Sequence, residues 1–510
     1  MSQTELQAPS ASEEPPTEEE TVRRRPGRRV LIAVLAALVV LVPLAWMWWG
    51  SLVPDRYSVL QMAGGAEYGG KPGEFAHDHS AAAATVRVPD LVADPGRAAD
   101  VRVDLVAARK TLDIGGRAVP GYTLNGTSPG PTITATQGQL VEVHLHNADV
   151  AGGVTLHWHG VDVPNAEDGT AGVTQDAVLP GEDVTYRFVA TDAGSYWYHS
   201  HQLSHDQVVG GLLGALVVRP KTRIAQQVDT IALAHTYGST RTLNGAPGDE
   251  WVAAKPGQTV RVRVINTDSG LIQTWASVPY TVLAVDGHEV NRPTPVTDRS
   301  TLVTAGARVD VGVTMPADGT PVRVQVSKGT AVLLGSGDVA PPTQPLAALD
   351  LLSYGSPAPL GFDPAKADRQ FAYSIGHRAG FVDGKPGLWW SVNGRLFPNI
   401  PMMMVTEGDV VKVHIDNHSG DVHPLHLHGH HAVVLARNGV PASGSPWWFD
   451  SLNVADDETF DIAFVADNPG IWMDHCHNLK HAADGMLVHL MYTGVTTPYE
   501  IGGPHHNLPE

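Results

Sequence analysis

Four of the His-x-His pairs in this chain are candidate ligand pairs, at His157/His159, His199/His201, His426/His428 and His475/His477. On a β-strand, residues i and i+2 face the same side, so each pair can aim two imidazoles at one point. A catalytic zinc uses three protein ligands. Eight imidazoles are too many for one ion and suit two or three. The single cysteine lies inside the last pair, at His475-Cys476-His477. On a strand, Cys476 points away from its two neighbours, toward a second site on the opposite face. A trigonal His₂Cys centre with a weak axial methionine is the blue-copper arrangement, and His423, His481 and Met486 are at hand as further ligands. Imidazole with one thiolate and one thioether favours copper over zinc. A fifth pair, His144/His146, alternates with Val143 and Leu145 and reads as an exposed strand face.

These side chains need strands to hold them. From Thr85 onward the chain shows short alternating segments such as Leu140-Val141-Glu142-Val143 and Val184-Thr185-Tyr186-Arg187-Phe188, bounded by Gly, Pro, Asn or Asp. That pattern predicts an all-β sandwich or barrel. A repeat runs through it. Leu124-Asn125-Gly126, Leu243-Asn244-Gly245 and Val392-Asn393-Gly394 each precede a Gly-x-x-Val-x-Val segment that ends at Asn147, Asn266 or Asn417. Three related β domains are expected, at 86–222, 223–355 and 356–500. The first two His pairs fall in the first domain and the last two in the third. The site is therefore expected between those two, with the middle domain as a spacer.

Composition sets the frame. Of 510 residues, 43% are hydrophobic and 17% charged, enough for real cores and against wholesale disorder. The net charge of −19 lacks the basic footprint of a nucleic-acid binder, and one cysteine excludes an intrachain disulfide. Residues 1–29 read as an acidic, then basic, cytoplasmic tail. Residues 30–49 carry no charge and are long enough for a bilayer core of about 30 Å. Arg23, Arg24, Arg25, Arg28 and Arg29 precede this span and Trp46, Trp48 and Trp49 end it, which predicts a single-pass anchor with the remainder extracytoplasmic. The alternative is a signal peptide, whose apolar region would be shorter and followed by a small-residue cleavage site. Residues 50–85 read as a linker, in which His77 and His79 are spacers rather than ligands. Residues 501–510 read as a tail, with no role for His505 or His506.

With its motifs in order, the chain resembles the multicopper oxidases, in particular their three-domain, laccase-like members. The resemblance covers residues 86 to 495. It is carried by His157-Trp158-His159-Gly160, His199-Ser200-His201, His423-Pro424-Leu425-His426-Leu427-His428-Gly429-His430, and His475-Cys476-His477 with His481 and Met486. It implies three cupredoxin-like Greek-key β-barrel domains and four coppers. His423, Cys476, His481 and axial Met486 would hold type 1, and His157 and His426 type 2. His159, His199, His201, His428, His475 and His477 would hold the type 3 pair. By the same resemblance, a phenol, aromatic amine or metal ion gives electrons one at a time to type 1. They pass through Cys476, His475 and His477, and O2 is reduced to water. Asp168 matches an acid near the trinuclear cluster, and Asp450 one near a type 1 histidine. One position departs. Many bacterial relatives place Glu after the second type 1 histidine, where this chain has Ala482, leaving Asp484 or a water chain to substitute. Methionine as axial ligand points to a lower-potential centre. Met402-Met403-Met404 reads as core packing, and His430 and His431 as structural. Three functions stand open: a laccase-like oxidase of phenolic or aromatic compounds, an oxidase of Cu(I), Fe(II) or Mn(II), and a copper-binding scaffold without turnover. A monomer is expected.

Overall fold

The computed structural model describes residues 27–62, 66–67, 69–70, 85–337 and 339–510. His77 and His79 lie outside the described residues. The chain divides into two units, Met1–Gly50 and Ser51–Glu510. The first contains the helix Arg28–Gly50, 23 residues and about 35 Å long at 1.5 Å per residue. Among the described residues it is the one helix long and apolar enough to cross a membrane.

The second unit is built from facing β-sheets. Its first part packs the four-stranded sheet Arg117–Leu124, Val101–Ile114, Leu140–Asn147, Asp183–Val189 against the four-stranded sheet Ile133–Thr136, Leu213–Arg219, Gly194–His199, His157–His159. The next part packs two six-stranded sheets drawn from Val228 to Ala348, and the last a six-stranded sheet against a seven-stranded one. Each pair encloses a large apolar core. Leu105, Val143, Trp158 and Phe188 mark the first, Val262, Val311 and Val324 the second, and Val413, Leu425, Trp472 and Val488 the third.

The sequence repeat has a physical cause. Asn125-Gly126, Asn244-Gly245 and Asn393-Gly394 are two-residue hairpin loops in which both residues have positive φ, which Asn and Gly tolerate best. Each of these Asn side chains bridges a neighbouring strand, as Asn125 does with Val106 N and Asp104 O. At the end of each copy, Asn147, Asn266 and Asn417 are fully buried and donate to carbonyls of the loops beside them.

The stretches expected as linker and tail take part in the body. Val59 and Met62 enter the third core, and Ala66–Glu67 runs parallel to Met402–Met403. Ile501–Gly502 pairs with Arg56–Tyr57. Met402, Met403 and Met404 are buried in a strand parallel to Leu487–Tyr492.

Candidate metal centre

Two antiparallel pairings position the histidines. His157–His159 lies beside Gly194–His199, with His157 opposite His199. His423–Leu427 lies beside Ile471–Cys476, with His426 opposite His475 and Leu425 opposite Cys476. His201, His428 and His477 stand just past strand ends, yet their rings keep 4.8 to 6.0 Å from their pair-mates, as in His157/His159 at 5.8 Å. All eight meet between the first and last sheet pairs. His157 Nε2 is 3.3 Å from His426 Nε2. Three trios have donor atoms within 4.8 Å of one another: His157, His159 and His426; His159, His199 and His477; and His201, His428 and His475.

The donor set fits metal cations. Burial, and then the neighbouring imidazoles, hold His199, His426, His428 and His477 well below the usual histidine range. Burial likewise brings His201 down to about 4. Neutral imidazoles offer lone pairs, not protons. His159 Nδ1, His199 Nε2 and both nitrogens of His201 and His477 are buried without a hydrogen-bond partner. A buried polar atom left unpaired costs about 1–3 kcal/mol, so several of them converging make sense as ligand atoms.

Buried carboxylates hold the rings from behind, which fixes tautomer and orientation. Asp168 accepts from His428 Nδ1 at 3.0 Å, its carbonyl accepts from His157 Nδ1 at 3.0 Å, and Thr170 anchors its other oxygen. Asp450 requires a correction. It was expected beside a type 1 histidine, but its carboxylate meets His159 Nε2 at 3.1 Å and its carbonyl accepts from His426 Nδ1 at 2.9 Å. The cause is register. Ser451 pairs with His426 and Val454 with His423, so Asp450 stands just before the far end of that strand, about 13 Å from His423 at 3.3 Å per residue.

The middle part of the chain is more than a spacer. Arg308 is buried, forks onto both Asp450 oxygens, and donates to Ser195 O. Asp286 accepts from the Asp450 and Ser451 amides. At Gly160, φ is +83° and any Cβ would run into the Arg308 guanidinium. No motif surrounds Arg308 or Asp286 in the sequence. Glu510 was also missed. Its side chain is buried, with Oε1 at 2.9 Å from His475 Nδ1. Burial pulls the His475 imidazole down, but Glu510 holds it above its ordinary value.

On the opposite side of the Ile471–Cys476 strand, Cys476 Sγ lies 3.6 Å from both His423 Nδ1 and His481 Nδ1, which are 3.2 Å apart. Ser419 Oγ holds His423 Nε2 at 2.8 Å and the Asn478 amide holds His481 Nε2 at 3.0 Å. Met486 is fully buried, and its backbone bonds to Cys476 and His481. Burial pushes the Cys476 thiol up, so its thiolate calls for a cation. Burial lowers His423 to about 3. Other histidines stand apart. His144 and His146 face solvent beside Asp183. His430 bonds the Tyr492 hydroxyl. His431 pairs with Asp162 and Asp450, which outweigh its burial and raise it to about 10.

Multicopper oxidase family profiles match residues 106–223 and 364–494. Among curated proteins, the chain is 27% identical to multicopper oxidase MmcO of Mycobacterium tuberculosis, covering 78% of this chain and 88% of that one. It is 28% identical to laccase-1 of Botryotinia fuckeliana, over 75% and 80%. Among solved structures, a multi-copper oxidase of Pseudomonas thermotolerans superposes with a TM-score of 0.65 at 25% identity, covering 78% of this chain and all of that one. Fet3p, described as a multicopper oxidase that functions in iron import, gives 0.63 at 18% identity, over 77% and 90%, a likeness of fold. The chain carries multicopper oxidase domains, and its homologues are copper-dependent oxidoreductases with O2 as acceptor, of a family that binds four coppers, which these histidine clusters fit. Its fold is cupredoxin-like.

Proposed function

We propose that this chain is a laccase-like oxidase of phenolic and aromatic reductants. The carrying observation is the flank of His481. Trp390 packs 4.5 Å from the His481 ring and 4.8 Å from His423, and Leu388, two residues along the same strand face, is 67% exposed. An apolar flank, exposed at Leu388 and backed by the buried Trp390, beside the half-exposed ligand suits a planar organic donor. His423, Cys476, His481 and Met486 would hold the type 1 copper. His157 and His426 would hold type 2. The trio His159/His199/His477 and the trio His201/His428/His475 would each hold one copper of the type 3 pair. When bound, these coppers accept single electrons from the donor and deliver four to O2, giving two waters. The protein's own part is geometric. His475-Cys476-His477 ties the two centres together through peptide bonds alone. Asp168 orients His428 and His157, Asp450 orients His159 and His426, and the closed histidine chamber excludes bulk water. Asp168 also places a buried carboxylate beside the chamber.

A second reading, oxidation of a metal ion, is favoured by Asp421 and Asp484, whose charges face His481. We further infer domains at 86–222, 223–355 and 356–500, supported by the three separate cores, and a monomer. The Arg28–Gly50 helix would be a single-pass anchor with the sheets extracytoplasmic, or alternatively a signal segment. The test uses the full chain in detergent, loaded with copper. Oxygen uptake with a phenol should exceed uptake with Cu(I) or Fe(II). The reverse ranking supports the second reading.

A further inference from the structure

The Tyr499–Glu510 segment is bound along its length. Ile501–Gly502 pairs with Arg56–Tyr57. Asn507 is buried, donates to Asp176 and to Glu500 O, and accepts from Ala177 N. Leu508 N donates to Gln202 Oε1, and Leu203 N donates back to Leu508 O. These bonds sit directly after His199-Ser200-His201 and bring Glu510 to the back of one trio. Its Oε2 accepts from Ser204 Oγ at 2.6 Å. Its Oε1 lies 2.9 Å from His475 Nδ1 and 4.0 Å from His201 Nε2. Neither His475 Nδ1 nor Glu510 Oε1 has a hydrogen-bond partner, so the 2.9 Å approach is a close charge contact. On the other side of the ring, His475 Nε2 faces His428 Nε2 at 3.2 Å. The space that admits Glu510 is a cavity of about 380 Å³ lined also by Ala482, Ala483, Met473, Leu487 and His489. Ala482 and Ala483 are small enough to leave that room.

We infer that Glu510 is a positioning residue for the His201/His428/His475 trio: its carboxylate takes His475 Nδ1–H and thereby commits Nε2 to the metal. A position far along the chain thus brings a carboxylate into the cavity that Ala482, which carries none, helps to line. The inference rests on the proposed ligand set. Other groups behind the same trio are already assigned: Asp168 holds His428, while His201 has no hydrogen-bond partner of its own. Glu510 is the one acid in contact with His475 Nδ1 among the described residues.

The test compares full-length wild type, Glu510→Leu, Glu510→Gln, Asn507→Ala and His475→Ala after dialysis against limiting copper. Copper per chain and the EPR-silent fraction, which reports two coupled Cu(II) ions, are measured, with the Cys476 visible band as internal control. Loss of an outer carboxylate typically costs 10–100-fold in metal affinity. Glu510→Leu should lose the EPR-silent copper with that change in affinity and keep the visible band. Glu510→Gln retains an oxygen acceptor and should keep most of it. Asn507→Ala loosens the segment but keeps the carboxylate, and should lose less than Glu510→Leu. Wild-type copper binding in Glu510→Leu overturns the inference, as does equal loss in the Gln variant or greater loss in Asn507→Ala. A wild type without EPR-silent copper, or one unaffected by His475→Ala, instead overturns the ligand set and takes the inference with it.

Discussion

The two metal centres share one strand and differ in almost everything else. The Cys476 centre is made inside the last sheet pair from residues 423 to 486, and its outer contacts are a hydroxyl and an amide, Ser419 and Asn478. His481 is half-exposed there. The histidine centre is made between the first and last sheet pairs. All eight of its rings are buried, and its outer contacts are carboxylates: Asp168, Asp450 and Glu510. On the function proposed above, the difference follows from the tasks. A centre that exchanges electrons with a bulky donor needs an open edge. A centre that handles O2 needs enclosure, and enclosure makes every uncompensated charge expensive, so each carboxylate is paired.

Substitutions can break or sharpen this contrast. The largest effect is expected for Cys476→Ser, which removes the sole thiolate. Turnover and the visible band should vanish while EPR-silent copper persists; loss of both together would show that the two centres do not assemble independently. Next, Asp450→Ala removes the carboxylate that Arg308 forks onto and leaves the buried guanidinium with Asp286 alone, 3.5 Å away; breaking a buried pair costs up to about 3–5 kcal/mol. Thermal unfolding should show a large drop, with copper lost from the histidine centre before the Cys476 centre. Asp168→Ala should lower copper affinity about 10–100-fold at the histidine centre alone, read by titration against a chelator.

A smaller effect concerns pH. Glu167 adjoins Asp168, and burial raises its carboxyl to about 7, against which the Arg187 amide works only partly. An acid whose folded pKa is raised stabilises the fold below its unfolded pKa and loses that contribution as pH rises toward 7. Glu167→Gln should therefore melt a few degrees above wild type at pH 8 and no higher at pH 4. The smallest effect is expected for Trp390→Leu. Losing the ring contact is worth about 0.5–1.5 kcal/mol, so KM for phenols should rise roughly 2–10-fold with the visible band unchanged. An equal rise for Fe(II) would remove the argument for an aromatic donor.

Much of this was legible in the chain. The His-x-His spacing, the isolated cysteine and the repeated Asn-Gly turns are short-range signals. Each depends on strand alternation or on a positive φ that a few neighbouring residues specify. Donor types, their pairing and their division between two β regions followed from them. What the spacing left undecided was which histidines lie together. The donor atoms of His201, His428 and His475, of His159, His199 and His477, and of His157, His159 and His426 converge because two sheet pairs face each other across the chamber. Asp450 went to the wrong centre because its neighbourhood is set by cross-strand register with His423–Leu427, and nothing local in Trp448-Phe449-Asp450-Ser451 encodes it. Arg308, Asp286 and Glu510 were invisible for the same reason. Sequence determines what a side chain can donate and which face of its own strand it takes. Contacts across 142 residues, as between Arg308 and Asp450, are decided only when whole sheets pack and a buried charge must find its partner.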